Sequence, residues 1–201
     1  MRTLALGVLT IVSFGFATAQ DTIRQFDFKN FTYPVNGPLL GHDRLQWLTV
    51  PDKTNPKRWT RLVNGNDLTK DSSFVMQGQE YTQWSGFKLE SVEFADVTGE
   101  HKEEALVVLR YLTGGKQTTH YVYIYSFEDG KPKLLAYCHT GDRADYGLYK
   151  VYGEGGALVF ELFDPNKRSG DCCSSGFVRI RYKWRASRFE AFGTREYGTT
   201  E

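Results

Sequence analysis

From residue 87 onward, short apolar runs alternate with turn formers, a pattern of strands and not of helices. FKLESVEFAD (87–96) leads into the polar turn VTGEHKE. EALVVLRYL (104–112) is apolar at successive positions, which predicts a central strand covered on both faces. After the TGGK turn (113–116), TTHYVYIYSF (118–127) alternates His120, Val122 and Ile124 with Tyr121, Tyr123 and Tyr125. Asp129-Gly130 is a hairpin signal. PKLLAYC then runs to Cys138, HTGDRADYG bends the chain, and LYKVYG and ALVFELF are strands split at GEGG (153–156). A last hairpin joins GFVRIRYKW to FEAFG. In it Val178, Ile180, Tyr182 and Trp184 face one way and Arg179, Arg181 and Lys183 the other. A slip of one residue would bury the basic row, so the register is well specified.

Residues 20–86 carry a weaker pattern. FDFKNFTYPV predicts a strand ended by Pro34, and LQWLTV another. PDKTNPKRWTRLVNGNDLTKD and QGQEYTQWSG are rich in turn formers, with at most a short helix over 55–62. No repeat or linker divides the chain. The expected fold is mainly β: an antiparallel meander forming a curled sheet, sandwich or open barrel, with a loop-rich N-terminal part.

The first twenty residues, MRTLALGVLTIVSFGFATAQ, stand apart. Arg2 precedes an apolar run from Leu4 to Phe16, and Ala17-Thr18-Ala19 supplies a small-residue cleavage site. That is the form of a secretory signal peptide over 1–19, too short in its apolar part for the ~20 residues that span a bilayer. The expectation is a periplasmic or secreted protein of one domain over 20–201, with no membrane span after cleavage. Loss of Arg2 brings the 25 basic residues to 24, equal to the 24 acidic ones. Balanced charge offers no footprint for nucleic acid.

An oxidising compartment permits disulfides, and three cysteines cannot all pair within one chain. Cys172 and Cys173 are adjacent; Cα atoms ~3.8 Å apart fall below the usual ~4.4–6.8 Å of a disulfide. Cys138 with Cys172 or Cys173 is the favoured pairing, closing a loop worth roughly 3–4 kcal/mol in the chain-entropy model.

The segments DFKNFTYPV, LESVEFADVTGEHKEEALVVLRYLTGG, GDRADYG and DCCSSGFVRIRYKW together resemble a group of exported bacterial proteins. Its pattern is a D-x-T/N-G-x-x-x-E-E/D-A turn, a G-D-R loop, and a C-C-P-S-like pair before a terminal Y-x-W strand. The resemblance covers about 26–192 and implies no activity. The chain departs from the pattern at Ser174, where the group has proline.

Candidate chemistry is sparse. Asp96, Thr98, Glu100 and Glu104 fall at the first, third, fifth and ninth positions of a calcium-type loop. However, His101 replaces the glycine and no Glu closes the loop, so the alternative is a polar turn. His139, Asp142, Arg143 and Asp145 form a polar cluster suited to an anion or a sugar, or else a loop whose groups satisfy one another. Four scattered histidines and the lack of H-E-x-x-H, G-x-S-x-G or a phosphate loop leave no catalytic motif. Aromatic side chains offer more: Tyr121, Tyr123 and Tyr125 read chiefly as core, while Trp47, Trp59 and Trp84 come from the loop-rich N-terminal part, and Trp59, after Lys57 and Arg58, reads equally as a binding residue. These features favour a non-enzymatic recognition module of the cell envelope without cofactor, whose partner is a protein, an envelope polymer or a small ligand. The alternatives are a secreted hydrolase or hydrolase inhibitor with its site near His139, Asp142 and Arg143, and a structural envelope component.

Overall fold

The computed structural model describes residues 23–35, 39–40, 47–48, 59–115, 118–169 and 173–200. Its strands are β1 (Thr32–Pro34), β2 (Leu39–Leu40), β3 (Trp47–Leu48), β4 (Trp59–Arg61), β5 (Asn66–Met76), β6 (Gln79–Ala95), β7 (Glu104–Thr113) and β8 (Thr118–Glu128). They continue as β9 (Lys131–Thr140), β10 (Leu148–Glu154), β11 (Ala157–Phe163), β12 (Arg168–Ser169), β13 (Cys173–Ser174), β14 (Gly176–Arg185) and β15 (Arg188–Thr199). Three short 3-10 turns are the helical content of the described residues, and no helix among them is long and apolar enough to cross a membrane.

Two sheets carry the fold. One has six strands in the order β2-β9-β8-β7-β6-β5, the other five in the order β10-β11-β14-β15-β3. Both are antiparallel meanders except for the parallel β2–β9 pair that begins the larger sheet. Their facing sides close the main core: Leu106, Val108, Val122, Ile124, Ala136 and Cys138 from the six-stranded sheet, against Leu158, Phe160, Leu162, Val178, Ile180 and Tyr182 from the five-stranded one. The result is a sandwich and not a closed barrel, and the register read from the last hairpin holds. Val178, Ile180 and Tyr182 are buried, whereas Arg179 and Arg181 lie outside in ion pairs with Glu161, Glu196 and Glu154.

The other side of the six-stranded sheet is also covered, which is why β7 is apolar at successive positions. Ala105, Val107, Leu109, Tyr123, Tyr125 and Tyr137 pack beneath a layer made by residues 23–34 and 59–62, with Ile23, Phe28, Tyr33 and Leu62 as its buried contacts. The tyrosines are core, and two hydroxyls of this layer find backbone acceptors. Tyr33 donates to the Phe28 carbonyl at 2.6 Å and Tyr123 to the Pro34 carbonyl at 2.7 Å. In FDFKNFTYPV only Thr32–Pro34 is strand, because Asp27 accepts the Lys29 N–H and starts a 3-10 turn over Phe28–Asn30. The short helix expected over 55–62 is not formed at 59–61, which pair as β4 with β1.

The largest departure from expectation is at 66–86. These residues form a hairpin turned at Gln77 and Gly78, both with positive φ. β7 pairs only with the part of β6 from Ser85 to Ala95. Among the described residues Gln79 to Trp84 therefore pair with β5 alone and carry the ribbon about six residues, roughly 20 Å, past the sheet.

Candidate functional site

The residues singled out from sequence do not converge. In the turn after β6, Asp96 Oδ1 accepts the Gly99 N–H at 2.7 Å and Oδ2 the His101 N–H at 3.0 Å. Glu104 is buried at the start of β7, and its Oε2 accepts the N–H groups of Val97 at 3.0 Å and Thr98 at 3.3 Å. Burial raises its carboxyl above the ordinary range, against the pull of those donors. The Thr98 hydroxyl also donates to Glu104, and Glu100 is exposed. Two carboxylates thus hold the turn's own backbone, which is the polar-turn arrangement. Among the described residues no group of three or more His, Cys, Asp or Glu side chains is placed to hold a metal ion.

The second cluster is divided between faces. His139 on β9 stacks on Tyr121 with centroids 5.3 Å apart, on the side of the N-terminal layer. Arg143 lies over the ring of Phe163 at 5.0 Å; Phe163 alternates with core residue Leu162 and so sits on the outer face of the other sheet. Asp142 accepts the Ala144 N–H at 2.9 Å within its own turn, and Asp145 is exposed. Trp59 on β4 is exposed as well. Cys138 lies fully buried between the sheets. Its expected pairing falls outside the described residues, since Cys172 and the side chain of Cys173 are not among them. Ser174, where the resembling group has proline, is buried, with Oγ 2.6 Å from the Asp164 carbonyl and 2.8 Å from that of Gly176.

Two features were not anticipated. The first is a cleft of about 390 Å³ where β10 crosses β6, lined by Glu90, Glu93, His120, Tyr149, Lys150 and Tyr152. His120 Nε2 lies 3.0 Å from Glu90 Oε2. That hydrogen bond, with the charges of His120 and Arg110, holds the Glu90 carboxyl below the ordinary range. His120 Nδ1 and Arg110 Nε are buried without a partner among the described residues. One imidazole nitrogen is thus taken by Glu90 and the other is turned into the protein, so neither faces the cleft as a base. The dyad is hard to see in sequence because Glu90 sits at a bulge between Leu89 and Ser91, thirty positions from its partner.

The second is the ribbon. Every residue from Thr69 to Trp84 is exposed. Phe74 and Tyr81 stack on one face with centroids 5.6 Å apart, and Met76 follows on the same face. Val75, 71% exposed, and Trp84 occupy the other. At the root Asp71 is the extra residue of a bulge and accepts the Ser85 hydroxyl at 2.7 Å. The outer side of β5 is the end of the sheet among the described residues. An isolated two-stranded ribbon is at best marginally stable in water. Five large apolar side chains on such an element form a patch of the kind that marks an interaction surface. No protein-family model matches the chain, and no curated protein or solved structure shows significant similarity to it.

Proposed function

We propose that the chain is an exported, non-enzymatic recognition module of the cell envelope that engages a protein partner through the β5–β6 ribbon. The exposure of Phe74, Val75, Met76, Tyr81 and Trp84, on a ribbon with no third strand among the described residues, carries this reading. A protein fits better than a polymer or a small ligand. The open edge of β5 offers a row of backbone donors and acceptors, and apolar side chains stand on both faces, as strand addition requires. Export rests on the leader-like first nineteen residues. The hydrolytic alternative loses support because His139 and Arg143 stand on opposite outer faces of the sandwich.

Photo-crosslinking in the exporting cell tests the reading. A benzophenone side chain is placed at Val75 on the ribbon or at Arg188, an exposed residue beside the turn between β14 and β15. The expected result is protein adducts from position 75 and not from 188, on a chain whose mature N-terminus is Gln20. No adduct from Val75, equal labelling at both positions, or a retained leader on the adducted chain overturns it.

A further inference from the structure

The ribbon's sequence narrows the choice of partner. Its inner edge is spent on β6, and the outer edge of β5 is open among the described residues. Natural edge strands are usually blunted by charge, proline or a bulge. Here those devices stop at the root: Lys70 and the bulged Asp71 precede a run from Ser72 to Met76 that has neither charge nor proline. An edge of this kind that stays open can pair without limit. A two-fold contact uses both edges and closes the assembly.

Directly opposed residues of an antiparallel pair share a face, so two copies of one strand can meet only in registers centred on a residue. Centring on Lys70 or Asp71 sets like charges against each other. Centring on Ser72 or Ser73 keeps Lys70 and the bulged Asp71 inside the pairing, opposite hydroxyl or apolar side chains. Centring on Phe74 pairs Ser72 with Met76, Ser73 with Val75 and Phe74 with itself, and moves Lys70 and Asp71 out to the Gln77-Gly78 turn. This is the longest self-pairing of β5 with no charge inside it. It gathers the stacked Phe74 and Tyr81 of both copies, with both Met76 side chains, into one cluster. The formal net charge of +1 puts little long-range repulsion between copies.

Resting on the reading of the ribbon as the interaction element, we infer that its partner is a second copy of this chain, with β5 antiparallel to β5 across a two-fold axis at Phe74. The two six-stranded sheets then become one continuous sheet through the dimer.

Analytical ultracentrifugation of the full chain is expected to show a dimer that dissociates on dilution. Val75→Lys and Phe74→Lys should each weaken self-association roughly a hundredfold or more, the scale of a central interface residue. At a concentration low enough for wild type to be monomeric, their thermal midpoints should stay close to the wild-type value. The register has its own readout. Cα atoms directly opposed across an antiparallel pair lie about 4.5–5.5 Å apart, within the range a disulfide accepts. Phe74→Cys should therefore crosslink to itself under mild oxidant, whereas Glu80→Cys, on the strand away from the axis, should not. A wild-type chain that stays monomeric at every concentration overturns the inference, as does crosslinking of Glu80→Cys in place of Phe74→Cys. If the monomeric chain still gives adducts from Val75 to a different protein, recognition through the ribbon survives and the second copy fails as its partner. If it gives none, both fail.

Discussion

β7 and the β5–β6 ribbon both carry apolar side chains on two faces, and the molecule places them in opposite surroundings. Leu106 of β7 packs into the core between the sheets, and Leu109 into the layer built by the N-terminal segments. Phe74 and Val75 of the ribbon face solvent on both sides. The difference is one of neighbours and not of strand type. Among the described residues β7 has a strand on each edge and a layer on each face, whereas β5 has one strand and no layer. Apolar character alone therefore does not distinguish core from contact surface; that depends on whether the chain itself supplies a cover.

The sharpest test of the comparison lies in β7. Leu106→Ala and Leu109→Ala are each expected to cost about 2–5 kcal/mol, the range for emptying a packed aliphatic site. Urea unfolding measures both. Covered faces require both losses to be large. A small loss at Leu109 would mean that the N-terminal layer does not pack as described, and the contrast with the ribbon would reduce to one face.

The root of the ribbon comes next. Gly86 has φ +121°, and a Cβ there would stand 2.1 Å from the Asp67 carbonyl oxygen on the paired strand. Gly86→Ala must shift backbone as well as strain it, and is expected to cost about 3 kcal/mol. At the tip Gly78 also has positive φ, +80°, but nothing lies near its missing Cβ. Gly78→Ala is expected to cost only about 1 kcal/mol. Equal effects would show that root and tip belong to one cooperative unit.

How much of this was legible in the sequence follows the same division. From Phe87 on, each strand keeps one face in a core, so alternation survives: Val178, Ile180 and Tyr182 inward, Arg179 and Arg181 outward. The continuous apolar run of β7 reported its two covers. The ribbon left no such trace, because a strand with no core to face has no reason to alternate apolar with polar. Its Ser, Thr, Gln and Asp residues look like loop, and the X-Gly turn at Gln77-Gly78 was the one signal that could have revealed a hairpin. The Glu90–His120 pair was hidden for another reason. It depends on a bulge in β6 and on pairing through β7, and neither is written in local spacing.

Glu104 offers a test of direction more than of size. Burial lifts its carboxyl above the ordinary value of 4.5 in the folded chain. The native state then holds a proton that the unfolded state has released, so this group's contribution to stability falls as pH rises from the ordinary carboxyl range through the raised value. Glu104→Gln removes that loss. Relative to wild type, the variant is expected to gain thermal midpoint on going from about pH 4 to about pH 7. A relative loss over that interval would mean that the bonds to Val97 and Thr98 outweigh the burial.

The smallest expected effect is the most decisive for the ribbon. Val75→Ser and Phe74→Ser remove apolar side chains as large as many in the core. Yet each should change the unfolding free energy of the monomer by no more than about 0.5 kcal/mol, the usual span for a surface position. The Phe74–Tyr81 stack adds a cross-strand contribution of the same order, so Phe74→Ser is the larger of the two. The measurement belongs at the lowest workable protein concentration, where association adds nothing to apparent stability. A loss of several kcal/mol under those conditions would place a covering segment of the same chain over the ribbon. The ribbon would then be a second β7, and its apolar side chains would be core.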